Sequence, residues 1–292
     1  MAACPFFGRC GGCTVDFAAP EYRSEKLKLL PFTPDEVVWI DAPRRRAEFQ
    51  IGPGAVGFFA RHSNDIVAID KCPLLDDDIN AAIADIALPV AGRALITKLS
   101  DGIEIDFNSA VKINPKINAR AACVSWNGKI IAGAARADFR PNGFLQPTTE
   151  SEKYLSDFVA GAAKGRTADL FSGNGSLTRR LDAARFDIFD SGKNIVRDLN
   201  KNPLRAPALN KYETIVLDPP RAGAEPQCRE IAKSNAPIVI YISCNPTTWL
   251  TDKKILESGG PNAGCGLHCV RAVALDQFRG SSHWEIASLF IR

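Results

Sequence analysis

The sequence predicts an α/β fold in its C-terminal half, with a parallel sheet covered on both faces, behind a β-rich part that opens on clustered cysteines. Three observations carry this. After residue 150, helical stretches alternate with runs that are apolar at almost every position, such as Thr214-Ile215-Val216-Leu217 and Ile238-Val239-Ile240-Tyr241-Ile242. Strands buried on both faces read this way. Between residues 37 and 143, short β-like runs are punctuated by Gly, Pro and Asn, which suits a mostly antiparallel sheet. Cys4, Cys10 and Cys13 all fall near the start.

With 292 residues, 46% hydrophobic and 24% charged, the chain has material for one large or two ordinary domains. A formal net charge of +3 permits a nucleic-acid partner without requiring one. No run reaches the roughly eighteen apolar residues of a membrane span, and Met1-Ala2-Ala3-Cys4-Pro5 lacks the basic-then-apolar pattern of a signal peptide. The expectation is a cytoplasmic protein with no membrane association and no obligate protein partner. Its nine cysteines are then reduced thiols, and their clustering reads as metal ligation or catalysis rather than as disulfides.

In chain order, residues 1–30 form a cysteine-cluster segment with a short basic helix over 21–30, in which Leu27 and Leu30 share a face. Residues 31–144 form the β-rich part, with strands around Val37, Val56, Ile105 and Val124 and one helix near 76–86. Residues 145–292 form the α/β domain. Within it, Ala168-Asp169-Leu170-Phe171-Ser172-Gly173-Asn174-Gly175 reads as a strand ending in a small-residue loop that opens a helix, with backbone free to approach a ligand. Taken alone, two such glycines as often make a plain turn. Two further strand ends carry Asp218-Pro219-Pro220-Arg221-Ala222-Gly223 and Ser243-Cys244-Asn245-Pro246. Ligands of open parallel sheets sit at the carboxyl ends of the strands, so Asp218 and Cys244 are expected in one site. Each also has a purely structural reading, Asp218 as a helix cap and Cys244 as a small buried apolar residue.

The Gly loop, the Asp218 segment and the Cys244 segment, in that order and spacing, resemble the uracil-5 RNA methyltransferase family nearly end to end. The resemblance implies a Rossmann-like domain that uses S-adenosylmethionine to methylate carbon 5 of a uridine. Thiolate addition at carbon 6 makes carbon 5 nucleophilic, which assigns that attack to Cys244. The carbon 5 proton must then leave to a positioned base. His283-Trp284-Glu285 resembles the family's C-terminal motif, whose glutamate is that base. The short link from Leu275 to Trp284 also suits a hairpin, which would start Glu285 beside Cys244. On the cofactor side the resemblance implies Gln146, Phe171, Ser176, Asp190, Asp198 and Asp218. Cys4, Cys10 and Cys13, completed by Cys72, resemble the [4Fe–4S] motif of the branch that acts on ribosomal RNA, and point to 23S rRNA as substrate. Four thiolates also suit tetrahedral zinc. Cys265, His268 and Cys269 make a weaker metal pattern.

The chain departs from the family between Asp190 and Asp198, where only Ser191, Gly192, Lys193 and Asn194 separate two strand-like segments. A parallel crossover takes about a dozen residues, so a tight turn or an irregular segment is expected there. Lys26, Lys28, Arg44, Arg45, Arg46, Arg61 and His62 either track RNA phosphates or form solvated faces, and Phe58 and Phe59 either stack on bases or fill the core. Two other classes remain compatible. An amino-directed nucleic-acid methyltransferase also uses Asp-Pro-Pro but needs no cysteine nucleophile, and a non-catalytic iron–sulfur RNA-binding homologue would bind no cofactor.

Overall fold

The computed structural model describes residues 4–86, 91–109, 121–134, 141, 143–188, 194–259 and 266–292. In chain order the elements are α1 (Tyr22–Leu27), β1 (Glu36–Trp39), β2 (Arg46–Gly52), β3 (Ala55–Phe59), β4 (Ile66–Ala68), α2 (Asp77–Ile83), β5 (Gly92–Leu99), β6 (Gly102–Phe107), β7 (Ala121–Trp126) and β8 (Lys129–Gly133). They continue with α3 (Thr149–Ala162), β9 (Thr167–Leu170), β10 (Ala183–Asp187), β11 (Asn194–Val196), α4 (Ala206–Leu209), β12 (Thr214–Leu217), α5 (Glu225–Ala232), β13 (Ile238–Ser243), α6 (Pro246–Ser258), β14 (His268–Asp276) and β15 (Glu285–Ile291). Two compact units share them. One holds Met1–Leu27, Asp41–Thr149 and the short segment Phe278–Ser282; the other holds Lys28–Ile40, Glu150–Gln277 and His283–Arg292.

In the first unit seven strands run in the order β4-β3-β2-β5-β6-β7-β8. All neighbours are antiparallel except β6 and β7. Alternate residues Phe49 and Ile51, Ile103, Ile105 and Phe107 turn to one side and pack with Ile79 and Ile83 of α2, the period-2 and period-3.6 patterns meeting in one core. Asp76 caps α2 by accepting from the Asp78 amide at 2.9 Å.

The second unit holds eight described strands in the order β1-β14-β15-β13-β12-β9-β10-β11. From β13 through β11 all neighbours are parallel, and β15 runs antiparallel between β13 and β14. Successive strand residues enter opposite cores. Ile215, Leu217, Val239 and Tyr241 pack with Cys228 and Ile231 of α5 and Trp249 of α6, whereas Val216, Ile240 and Ile242 pack with Leu155 and Val159 of α3. This is why these runs are apolar at every position.

Three expectations need correction. The strand at Glu36–Trp39 pairs in parallel with β14 rather than joining the antiparallel sheet. No α-helix follows the Gly loop: the residues between β9 and β10 form turns, with Leu177 and Thr178 buried in them. Finally, β10 and β11 are parallel neighbours, Arg185 opposite Asn194 and Asp187 opposite Val196, although only six residues join them. With three paired positions each, β10 and β11 require little reach from that link.

Candidate active site and cysteine chamber

Cys244 follows β13 directly and is half-buried. Behind it Asn245 caps α6, its side chain accepting from the Thr247 amide at 3.1 Å with Pro246 in the first turn, an arrangement proline favours because it has no N–H to lose. On β15, Ile286 lies opposite Ser243, so one step further along the same register Glu285 faces Cys244. Glu285 is buried, and Gln277 Nε2 donates to its Oε2 at 2.7 Å. Asp218 ends β12 next door, its amide donating to the Leu170 carbonyl. Sequence order thus brings Cys244, Glu285 and Asp218 to one sheet edge.

The electrostatics of this edge are those of crowded acids with little solvent. Burial pushes the Cys244 thiol up to about 12, the Glu285 and Asp218 charges add to the rise, and the Arg221 guanidinium opposes it. Burial and then Asp218 hold the Glu285 carboxyl well above the usual carboxylate range. Asp218 is pushed up to about 7 by burial and by Asp169. An acid that holds its proton this tightly is, once ionised, a stronger base. Arg221 Nη2 lies 3.1 Å from His283 Nδ1, and its carbonyl accepts from Asn245 Nδ2 at 3.0 Å. The two strand-end loops and the start of β15 are therefore tied together.

The Gly loop is built by backbone needs. Phe171, Gly173 and Gly175 have φ of 62°, 51° and 68°; a Cβ on Gly175 would stand 2.5 Å from Arg185 Nε, whereas one on Gly173 would meet open space. The Gly173 amide donates to Asp187 Oδ2 at 2.9 Å and its carbonyl accepts from Asn194 Nδ2 at 2.9 Å. Beneath the loop the buried Asp169 accepts from the Thr178 hydroxyl at 2.5 Å; burial lifts its carboxyl to about 7. Phe171 and Ser176 lie half-buried in this loop. Asp198 instead accepts from the Asn200 and Lys201 amides in a turn, and Asp190 lies outside the described residues. Gln146 belongs to the first unit, buried, its carbonyl accepting from Arg45 Nε at 3.0 Å. Sequence reasoning missed Gln277, Asp169, Asp187 and the Arg221–His283 pair. Asp169 and Arg221 stand inside the motifs, so their positions were visible; Gln277 and Asp187 show themselves only through the fold.

In the first unit Cys4, Cys10, Cys13 and Cys72 all line one cavity of about 220 Å³. The cysteine loop is fastened to β3, the Gly11 amide donating to the Phe59 carbonyl at 2.8 Å, and a Cβ on Gly11 would come within 2.7 Å of that oxygen. Asn80 of α2 secures Cys72, accepting from its amide at 2.8 Å and donating to its carbonyl at 3.1 Å. Burial pushes the Cys13 thiol up to about 12 and raises those of Cys10 and Cys72, with Arg44 acting in the opposite sense on Cys13 and Cys72. Among the described residues no three His, Cys, Asp or Glu side chains are drawn tightly enough to hold a single metal ion. The four thiols surround a chamber, not a point. Cys269 is half-buried and Cys265 lies outside the described residues. Lys26, a candidate phosphate contact, is instead fully buried. Phe58 stacks on Phe49 at 5.1 Å while Phe59 is exposed. Among the described residues no helix is long and apolar enough to cross a membrane.

The profile of tRNA (Uracil-5-)-methyltransferases matches residues 180–292. An uncharacterized RNA methyltransferase of Mesorhizobium japonicum is 32% identical over an alignment that covers 98% of this chain and 83% of the relative. The chain belongs to the RNA uracil-5-methyltransferase family. As a member it is an RNA (uracil-5-)-methyltransferase, and its macromolecular partner is RNA. The 23S rRNA (uracil(1939)-C(5))-methyltransferase RlmD of Dichelobacter nodosus is 26% identical to this methyltransferase, covering 99% of the chain and 84% of the relative. Its α/β fold matches the crystal structure of Pyrococcus abyssi tRNA (uracil-54, C5)-methyltransferase in complex with S-adenosyl-L-homocysteine, with a TM-score of 0.70 at 20% identity over 92% of this chain and 81% of that one.

Proposed function

We propose that this methyltransferase transfers a methyl group from S-adenosylmethionine to carbon 5 of a uridine in large-subunit ribosomal RNA, with Cys244 as nucleophile and Glu285 as base. The observation that carries the reading is the register that sets Glu285 against Cys244 across β13 and β15. S-adenosylmethionine, when bound, supplies an electrophilic methyl group and departs as S-adenosylhomocysteine. The open side of Gly173 and the positive-φ backbone of the loop fit its close approach; Phe171, Ser176 and Asp218 lie in or beside that loop, with Gln146, Asp190 and Asp198 proposed to complete the cofactor contacts.

The target uridine leaves its stack to reach the sheet edge. Cys244 Sγ, as thiolate, adds to carbon 6, and the electron pair released to carbon 5 takes up the methyl group. Glu285 then accepts the carbon 5 proton, the carbon 5–carbon 6 double bond re-forms, and the Cys244–carbon 6 bond breaks to return the thiolate. The Arg221 guanidinium favours the thiolate, and Gln277 holds the base in place. With 5-fluorouridine-containing RNA there is no proton for Glu285 to take, so a covalent protein–RNA adduct accumulates; Cys244→Ser forms none. Methylation by an enzyme that never forms the adduct overturns the mechanism and favours amino-directed chemistry, and a protein that fails to bind S-adenosylmethionine in calorimetric titration is a non-catalytic homologue.

The RlmD likeness across nearly the whole chain supports ribosomal RNA over tRNA. Cells lacking the protein are expected to lose a 5-methyluridine from 23S rRNA and none from tRNA; loss from tRNA alone reverses the assignment. Cys4, Cys10, Cys13 and Cys72 are proposed to hold a [4Fe–4S] cluster. A chamber of about 220 Å³ walled by four thiols accommodates a multi-atom cluster, whereas one zinc draws its sulfurs to about 2.3 Å. Anaerobically purified protein is expected to contain about four iron and four sulfide per chain, and equimolar zinc without sulfide assigns the chamber to zinc.

A further inference from the structure

The link between β14 and β15 is an excursion. Gln277 and His283 at its ends belong to the second unit, whereas Phe278–Ser282 between them belong to the first. Within the first unit, every carbonyl from Phe278 to Ser281 receives a donor. Lys26 Nζ donates to Phe278 O at 3.2 Å and to Ser281 O at 2.7 Å, Arg44 Nη2 donates to Arg279 O, and the Thr14 and Val15 amides donate to Gly280 O at 2.7 and 2.9 Å. The Gly280 amide in turn donates to the Tyr22 hydroxyl at 3.0 Å. Gly280, with φ +77°, packs so closely that a Cβ there would stand 2.8 Å from Cys13 Sγ.

Lys26 is the unusual member. Its side chain is fully buried, and an ammonium taken out of water is costly unless its hydrogen bonds are replaced. Here its bonds to two carbonyls three residues apart fix the curvature of the strap. The ends of that strap matter for chemistry, because the residue just before it, Gln277, holds the Glu285 carboxylate at 2.7 Å, and His283, just after it, pairs with Arg221. A base must sit within hydrogen-bond reach of its proton, and displacement of about 1 Å can cost ~100-fold in rate. We propose that Lys26 is a positioning residue for proton abstraction: it clamps residues 278–282 and so sets, along the chain, the Gln277–Glu285 pair. The inference rests on Glu285 being the base.

It separates from a merely structural role by the step that fails. If the clamp positions the base, Lys26→Met slows loss of the carbon 5 proton and leaves earlier steps intact. The enzyme then accumulates a methylated covalent adduct on ordinary uridine RNA, with kcat reduced at least tenfold, S-adenosylmethionine affinity unchanged and Lys26→Arg partly restoring turnover. Tyr22→Phe, which removes the acceptor of the Gly280 amide, is expected to show a smaller accumulation of the same adduct, and it decides the matter if Lys26→Met does not fold. Glu285→Gln is the control. If it traps the adduct while a folded Lys26→Met, or Tyr22→Phe in its place, turns over normally or slows without adduct, the clamp role is overturned. If Glu285→Gln traps nothing and turns over normally, the base assignment itself fails and the inference with it.

Discussion

Cys244 rests as a thiol. With its ionisation pushed up to about 12 chiefly by burial and then by the Glu285 and Asp218 charges, the free enzyme at neutral pH holds only a small thiolate fraction, so the proposed nucleophile must lose its proton before it can add to uracil. The rate constant kcat/KM reports the free enzyme, so it is expected to climb from pH 7 to pH 9 without levelling off, about tenfold per unit at most. Arg221→Ala removes a charge that favours the thiolate, and should lower kcat/KM across that range in a steady-state methyl-transfer assay. Asp169 makes the complementary case for stability. Its carboxyl holds a proton up to about 7 in the fold against about 4 in an unfolded chain. An acid raised in this direction favours folding most at low pH and weakens it as pH rises from about 4 to about 7. Asp169→Asn keeps an acceptor for the Thr178 hydroxyl without the charge, so its Tm at pH 8 should exceed that of the wild type by about 5 °C, with little difference at pH 4. Thermal melts at the two pH values check this.

Among the elements, those with a strong internal pattern were legible in the sequence and those defined by their neighbours were not. The β12 and β13 runs announce a doubly covered sheet because every position is apolar, and the Leu275-to-Trp284 link announces the β14–β15 hairpin because a parallel return needs more chain. Glu36–Trp39 gave no such cue: four residues cannot show which sheet accepts them, and the choice was made by the free edge of β14. The β10–β11 pairing was misjudged because the rule for crossovers assumes a helix packed on the sheet, and strands of three paired residues evade it. The helix expected after Gly175 fails for a local reason, since Thr178 is drawn down to Asp169 and Arg185. For the cysteine chamber, resemblance to the family's cluster motif joined Cys72 to the distant N-terminal trio, but only the fold reveals Asn80 as the residue that holds it. Asn80→Ala leaves the Cys72 amide and the Cys72 and Leu75 carbonyls without that partner, a cost of about 1–3 kcal/mol. It should also lower bound iron per chain, as measured by metal analysis of protein purified without oxygen.

Across the whole molecule, chemistry is gathered from segments far apart in sequence. The alignment to the Mesorhizobium relative runs to 351 positions, longer than this chain of 292 residues, so the family site is assembled here on a shortened frame. What is kept is the strand order that sets Asp218, Cys244 and Glu285 side by side. That order has a consequence for how the sheet is closed. The strand Glu285–Ile291 inserts between β13 and β14 and carries the proposed base. Without that strand the facing edges of β13 and β14 have no partner in the middle of the sheet, and their N–H and C=O groups stand open. Closing the sheet and completing the site are therefore one event: a molecule whose β15 has frayed keeps Cys244 and Asp218 but holds no carboxylate opposite the thiol.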